Sequence, residues 1–377
     1  MVDRESDAST GSDPWQQLLE EGKRVFQICN ACRYCEGFCA VFPAMERRLE
    51  LSPGDVTYLA NLCHDCGECY YSCQYAPPHE FDLNLPRVLA QLRRESYLRF
   101  ARPAFLSRWL SQTGAALGLS LVAIPTVFLL GTMMWLQPEV FFSAHSVAEG
   151  SFYNIVPHAV MVSSFGLVGL FVLLALTVGF AVFWRAIGER WTSLFDLPAL
   201  ARAAGDALRL RYLDGGGEGC AYPDEVPSGG RRVFHHLTFY GFALCFAATS
   251  VAAFYHNVLG WEAPYPIVSV PVVLGSVGGV GLLVGPAGLL WLKRVRNRET
   301  ADAGQTSMDV AFLVLLFLTS LTGMLLLVLR ETTAMGVLLI VHLGIVMGLF
   351  LTLPYGKFVH GMYRFGALVR NAREERR

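Results

Sequence analysis

Long apolar stretches dominate the chain beyond its first hundred residues. Six of them, at about residues 114–136, 158–184, 236–258, 266–292, 308–329 and 333–353, are each near the roughly 20 residues a helix needs to cross a bilayer. Buried helices of a soluble core rarely reach that length so often, so the pattern predicts six transmembrane helices. The polar segments between them alternate in kind. Segments 137–156 and 259–265 contain no Lys or Arg, and 330–332 has only Arg330. Segment 185–232 carries Arg185, Arg190, Arg202, Arg209, Arg211, Arg231 and Arg232, the next such segment has Lys293, Arg294, Arg296 and Arg298, and the tail has Lys357, Arg364 and Arg370. Every basic segment falls on the side of the amino terminus. By the positive-inside rule both termini, and whatever precedes the first span, face the cytoplasm.

Ahead of the spans the pattern is helical and mixed. Pro14 opens a helix through Trp15, Leu18, Leu19 and Val25. Ser52, Pro53 and Asp55 read as an N-cap, a proline at the first helical position and an acid in the first turn, which predicts a helix over about 53–61. A further helix is expected over Leu85 to Tyr97. Arg99, Arg102 and Arg108 then alternate with Phe100, Phe105 and Trp109, a membrane-interface signal just before the first span. Leu197 to Leu213 reads as an interfacial helix. Residues 1–13 are polar and acidic without an apolar core, and read as a disordered start rather than a signal peptide. The expected fold is all-α: a cytoplasmic helical domain over 14–100 and a membrane domain over 101–377.

Composition agrees with a membrane protein carrying a soluble appendage. Charged residues make up 16%, against about a quarter in soluble domains. With 30 basic and 31 acidic residues the net charge points to no partner, and no basic stripe with interleaved aromatics suggests nucleic acid.

The chemistry begins with cysteine. Eight of the ten cysteines form one spacing written twice: Cys29, Cys32, Cys35 and Cys39, then Cys63, Cys66, Cys69 and Cys73. Three cysteines at two-residue gaps on an irregular loop wrap three corners of a 4Fe-4S cubane, and in the two-cluster ferredoxin pattern the fourth ligand crosses over. That pattern assigns one cluster to Cys29, Cys32, Cys35 and Cys73, and the other to Cys63, Cys66, Cys69 and Cys39. One departure is visible: Ala40 and Gln74 follow the fourth cysteines, and proline arrives only at Pro43 and Pro77. Paired zinc sites use Cys-x2-Cys units too, but a third cysteine at the same gap and a fourth after three residues go beyond that spacing. Disulfides are disfavoured in a cytoplasmic segment.

Histidine supplies the second constellation, because metal-ligating residues inside a span are costly and functional by default. His235 and His236 open the third span and His256 closes it; His342 lies in the sixth span and His360 follows it. His342 and His360 are about five helical turns apart on one face, a rise of about 27 Å. The third and sixth spans run in opposite directions. His256 can therefore face His342 near the outer surface, while His235 or His236 faces His360 near the inner one, a ligand set for two b haems. Relative to His256, His235 is out of phase by about 60° and His236 by about 160°, which favours His235. Pro354 makes the phase approximate.

The remaining features read more plainly. The run Asp214 to Cys220, rich in glycine, lacks the strand and Gly-Lys-Ser/Thr of a phosphate cradle and is expected to be a flexible loop, with contact to the cluster domain as the next reading. Cys220 is a plain thiol in this scheme, and Cys245 a small hydrophobe. Gly275, Gly279, Gly281 and Gly285 suit close helix approach. His158 has no evident mate, and His64 and His79 flank the cluster ligands without joining them. Asp309, Tyr355 and Lys357 stand at the cytoplasmic edge as proton sources, Lys357 alternatively as a topological anchor.

The double cysteine run, the six spans, His235-His236, Ala263-Pro264-Tyr265 and the ending Pro354-Tyr355-Gly356-Lys357-Phe358-Val359-His360 together resemble the tricarballylate/citrate utilisation protein B family over nearly the whole chain after about residue 20. The cluster half is similar to helical ferredoxin domains of fumarate and heterodisulfide reductases. The last spans resemble the haem-binding gamma-type membrane subunit of respiratory nitrate reductase. The resemblance implies a protein of the bacterial inner membrane that reoxidises a separate FAD-dependent tricarballylate dehydrogenase and passes electrons through two 4Fe-4S clusters and haem b to the quinone pool. A related module serves a flavoprotein oxygenase of the precorrin-3B synthase type, which is the first rival. A zinc-stabilised membrane transporter without redox chemistry is the second.

Overall fold

The computed structural model describes residues 13–109, 118, 123, 126–127, 129–131, 138–145 and 151–376. The expected disordered start, apart from Asp13, and most of the first expected span, 114–136, lie outside the described residues. The described chain is mostly helical. Its strands β1 (Cys220–Ala221) and β2 (Pro227–Ser228) form a two-stranded antiparallel hairpin.

The cysteine-bearing domain is built from helices whose ends are written in the sequence. Helix α1 (Pro14–Cys32) starts where the Asp13 side chain accepts from the Trp15 N–H and Pro14 sets the first turn. It does not stop before the cysteines. Cys29 and Cys32, three apart and so on one helix face, ride on its last turn, and Arg33 in the left-handed conformation (φ 57°) ends it. The expectation of an irregular loop for the whole first run is corrected to this extent. Helix α2 (Val41–Glu46) follows, then α3 (Pro53–Leu62) with the anticipated cap: Ser52 accepts from the Asp55 N–H, and the Asp55 carboxylate accepts from the Ser52 N–H. Helix α4 (Glu68–Tyr71) carries Cys69, and α5 (Leu85–Phe100) starts under an Asn84 cap. Phe26, Val56, Leu59 and Leu92 are fully buried where α1, α3 and α5 meet.

The apolar half contains α6 (His158–Ala186), α7 (Leu197–Arg209), α8 (Gly230–Leu259), α9 (Val270–Val295), α10 (Ala303–Leu329), α11 (Met335–Thr352) and α12 (Val359–Glu374). Among the described residues, five helices are long and apolar enough to cross a membrane: α6, α8, α9, α10, and α11 with its continuation into α12. Helix α8 begins six residues before the apolar run at 236, because its polar first turns, with Arg231 and Arg232, project past the apolar layer. Pro354 has the expected effect. The helix tightens into a 3-10 turn at Leu353–Tyr355 and restarts at Val359, so His342 and His360 do not share one regular helix.

Helices α8 and α9 pack backbone to backbone. A Cβ at Gly278 would stand 2.8 Å from the Gly241 carbonyl oxygen, and one at Gly241 would stand 2.9 Å from that of Gly278. Only glycine permits that approach. Neither Gly241 nor Gly278 is among Gly275, Gly279, Gly281 and Gly285, the set that spacing alone identified.

Helix α12 fastens the two halves together. Asp55, at the start of α3, accepts from Arg48 at 2.8 Å and from Arg370 at 2.7 Å; Arg370 also reaches Glu374, and Arg373 pairs with Glu189 beyond the end of α6. Arg48 and Arg370 lie over the Tyr58 ring at 4.9 and 4.4 Å. Burial opposes ionisation of Asp55, but hydrogen bonds from Arg48 and Ser52 and the charge of Arg370 outweigh it and hold the carboxyl at about 2. A folded value below the unfolded one stabilises at neutral pH, and the stabilisation is lost as pH falls through about 2. Asp55→Asn should therefore cost about 2 kcal/mol at pH 7, seen as earlier thermal unfolding of the detergent-solubilised protein, and the difference from the parent should shrink in strong acid.

Candidate functional site

Two hollows lie among the cysteines. The larger, about 280 Å3, is lined by Cys29, Cys32, Cys35 and Cys73, with Cys69 also on its wall. The smaller is lined by Cys39, Cys63, Cys66 and Cys69. Each run thus lines one hollow with three thiols and sends its fourth to the other. Sulfur acceptors meet local donors: the Asp65 N–H lies 3.3 Å from Cys63 Sγ, and Val41 and Phe42 donate backbone N–H groups to Cys39. Burial, and after it the repulsion of neighbouring thiolates, pushes the Cys29, Cys35 and Cys39 thiols up to about 12. These three thiols hold their protons at neutral pH in the absence of bound metal. Bound cationic iron is the kind of charge that would make them thiolate ligands, and hydrogen bonds to sulfur suit a cluster, so the donor set fits iron-sulfur chemistry.

The glycine-rich segment is not the open loop expected. It turns through Gly215–Gly219 into the β1–β2 hairpin, which closes over the second cysteine run. Gly67 has φ 86°, and a Cβ there would stand 2.5 Å from the Ala221 carbonyl oxygen. The Ala221 N–H donates to Glu68 Oε2 at 3.0 Å. Cys220 is buried in the same small core as Cys66, and its thiol donates to the Leu213 carbonyl. Composition suggests mobility here, because nothing local indicates that the glycines are spent on close approach to another segment.

Beneath this loop lies a cavity of about 380 Å3 between the cysteine domain and the ends of α8 and α12. Its apolar walls include Phe239, Phe242, Phe312 and Phe358, and its polar end includes His64, Asp65, Arg93, Lys293 and Asp309. His235 and His360 meet across it with ring centroids 6.2 Å apart. His360 Nδ1 lies 2.6 Å from the Lys357 carbonyl oxygen, which assigns the proton to Nδ1 and leaves the Nε2 lone pair free. His236 instead lies 5.7 Å from the Tyr240 ring. An apolar slot with a histidine pair and cations at one end fits a haem with its propionates. The wall of this cavity is shared, since His64 and Asp65 also line the second cysteine hollow.

Asp65 and Asp309 organise the polar end. Arg296 grips both oxygens of Asp65 at 2.9 and 3.0 Å, and Arg93 approaches at 3.6 Å. Burial raises the Asp65 carboxyl, but Arg296, Arg93 and Arg231 outweigh it and hold it well below the usual range. Asp309 sits between Lys293 at 2.5 Å and Lys357 at 2.8 Å. Lys293 was not among the proton-carrying residues read from the sequence. Tyr355, which was, donates its hydroxyl to the Arg102 carbonyl.

At the far end of the helices the contacts differ from those expected. His256 does not meet His342. It lies against His158, centroids 3.7 Å apart and planes tilted by 33°, with Tyr153 at 5.0 Å. His158, read as mateless, opens α6 directly beside the end of α8. His342 faces α10: the Thr322 hydroxyl donates to the Leu318 carbonyl, so its oxygen accepts from His342 Nδ1 at 3.0 Å and leaves Nε2 free.

Comparison with known proteins bears on the whole chain. Residues 22–99 match the family model described as the citrate utilization protein B Fer4-like domain, and residues 112–377 match the model for citrate utilization protein B. The chain belongs to the citrate utilization protein B family. The Escherichia coli citrate utilization protein B is 52% identical over 95% of this chain and 93% of its own length. No solved structure matches. A Fer4-like domain joined to long apolar helices fits a membrane iron-sulfur electron-transfer protein. In this family member Cys220→Ala should keep the full iron and acid-labile sulfide content, whereas Cys39→Ala and Cys73→Ala should each lose the iron of one cluster, about four atoms per chain, in elemental analysis of the purified protein.

Proposed function

We propose that this chain is a membrane electron conduit that reoxidises an FAD-dependent tricarboxylate dehydrogenase, of the tricarballylate dehydrogenase type, and delivers the electrons to quinone. When bound, two 4Fe-4S clusters and haem b supply the one-electron carriers needed between a two-electron flavin and a two-electron quinone. One observation carries the reading: the loop from Cys63 to Cys66 walls both the second cysteine hollow and the cavity between His235 and His360. A purely structural metal site has no reason to share its wall with a buried histidine pair.

The residues divide the work. Cys29, Cys32, Cys35 and Cys73 hold the first cluster, and Cys63, Cys66, Cys69 and Cys39 the second. The first set is partly exposed whereas Cys63 and Cys66 are buried, so the flavoprotein docks over the first. His235 and His360 hold the inner haem b. A second haem b is held by His256 and His342, for which the His158 ring has to leave the face of His256. Quinone reduction takes up protons, and Asp309 and Lys357, on the wall of the inner cavity, are assigned to bring them in. The spans number six, as the apolar runs of the sequence predict, in a bundle related to the nitrate reductase gamma-type subunit. The basic residues gathered at the cysteine end support a cytoplasmic position for that end, at the inner membrane.

His235→Ala and His360→Ala should each abolish the inner haem while His236→Ala retains it, read as haem absorbance per mole of purified protein. His256→Ala and His342→Ala should remove the second haem, and His158→Ala should not. Full haem in both His235→Ala and His360→Ala would sink the inner assignment.

A further inference from the structure

The cavity between His235 and His360 contains more positive charge than its own carboxylates neutralise. Asp65 is taken by Arg296 and Arg93, and Asp309 by Lys293 and Lys357. Arg231 and Arg364 line the same cavity, and among the described residues neither is paired with a carboxylate. Both are tethered to backbone instead. Arg231 Nη1 donates to the Asp65 carbonyl at 2.5 Å, and Arg364 Nη2 donates to the Cys63 carbonyl at 2.6 Å. Arg231 is further steadied over the Tyr222 ring at 4.5 Å, on which Arg296 also lies. Arg364 Nε is buried without a hydrogen-bond partner. Both side chains are partly buried, Arg231 shares Asp65 with Arg296 and Arg93 only at longer range, and guanidinium groups so placed without an ion pair of their own favour an anionic partner.

We infer that Arg231 and Arg364 receive the two carboxylates of an amphipathic dianion whose flat apolar body fills the aromatic end of the cavity, and that they tie this ligand to the Cys63–Cys66 loop. The inference rests on the haem reading above and names the groups that take the propionates. Guanidinium suits this role: its planar fork can engage a carboxylate while a remaining N–H holds the loop carbonyl, which a lysine ammonium does with less geometric control. The two arginines come from different helices, α8 and α12, one on the side of each histidine. They are positioning residues: they orient the ligand between His235 and His360 and add positive charge beside it. Positive charge favours the reduced form of a bound redox centre, so these side chains raise its potential.

The test uses the full chain purified in detergent, with haem content from absorbance and haem midpoint potential from an optical redox titration. Arg231→Gln and Arg364→Gln should each retain cluster absorbance and show a lowered haem potential. The double variant should lose most of its haem, and Arg364→Lys, which keeps the charge, should recover the potential lost in Arg364→Gln. Parental potential and full haem in both glutamine variants, while His235→Ala and His360→Ala lose haem, would overturn the inference and leave the haem reading standing. Equal shifts in Arg364→Lys and Arg364→Gln would also overturn it, because charge would then not be the cause. Haem retained by both histidine variants would remove the haem reading and this inference with it.

Discussion

The buried carboxylate of Asp65 is the interaction on which the arrangement depends. It sits between Cys63 and Cys66 with a left-handed backbone (φ 58°), so the loop turns inward there and offers two carbonyls and one carboxylate to the cavity below. Arg296 from the end of α9 and Arg93 from α5 converge on the carboxylate. Removing one partner from such a buried pair typically costs about 3–5 kcal/mol, because the remaining charge is stranded. The loop is therefore held in one position relative to the membrane helices. A cysteine loop placed by long-range charge pairing is well suited to keep two redox centres at a constant separation.

Around that fixed point the molecule grades from wet to dry. The first cysteine set is partly exposed; in the second Cys63 and Cys66 are buried, and the β1–β2 hairpin and Tyr222, with Arg231 and Arg296 over its ring, lie against it. Below it, polar side chains give way to the phenylalanines of α8 and α10. Each step removes water, and electrostatic interactions strengthen accordingly. The ionic layer of α12 has the complementary mechanical role, fixing the cysteine domain to the ends of the apolar helices so that the shared wall at His64 and Asp65 is not a transient contact.

Much of this was legible in the sequence where the signal is local or periodic. The apolar runs, the Ser52–Asp55 cap, the Pro354 break and the cysteine spacing each depend on a few neighbouring residues. What escaped depends on segments meeting from afar. Cys29 and Cys32 ride on a helix because Arg33 accepts a left-handed conformation that spacing does not reveal. The run Asp214 to Cys220 reads as a flexible loop until Gly67 is seen to leave room for the Ala221 carbonyl. His158 had no mate in helical arithmetic because its partner lies on a helix remote in sequence, and heights along helices cannot choose between His158 and His342 as the neighbour of His256. The Lys293–Asp309–Lys357 chain joins three elements, so no window of sequence contains it.

Central to this picture is the claim that the second cysteine set and the histidine pair form one continuous redox site. Electron paramagnetic resonance of the purified protein, poised stepwise from oxidised to reduced, tests it most directly. The expected result is a low-spin, bis-histidine ferric haem signal whose spin relaxation speeds up when a neighbouring iron-sulfur cluster is reduced, an effect that depends on short distance. Absence of a haem signal, or a haem whose relaxation ignores the state of the clusters, would contradict it.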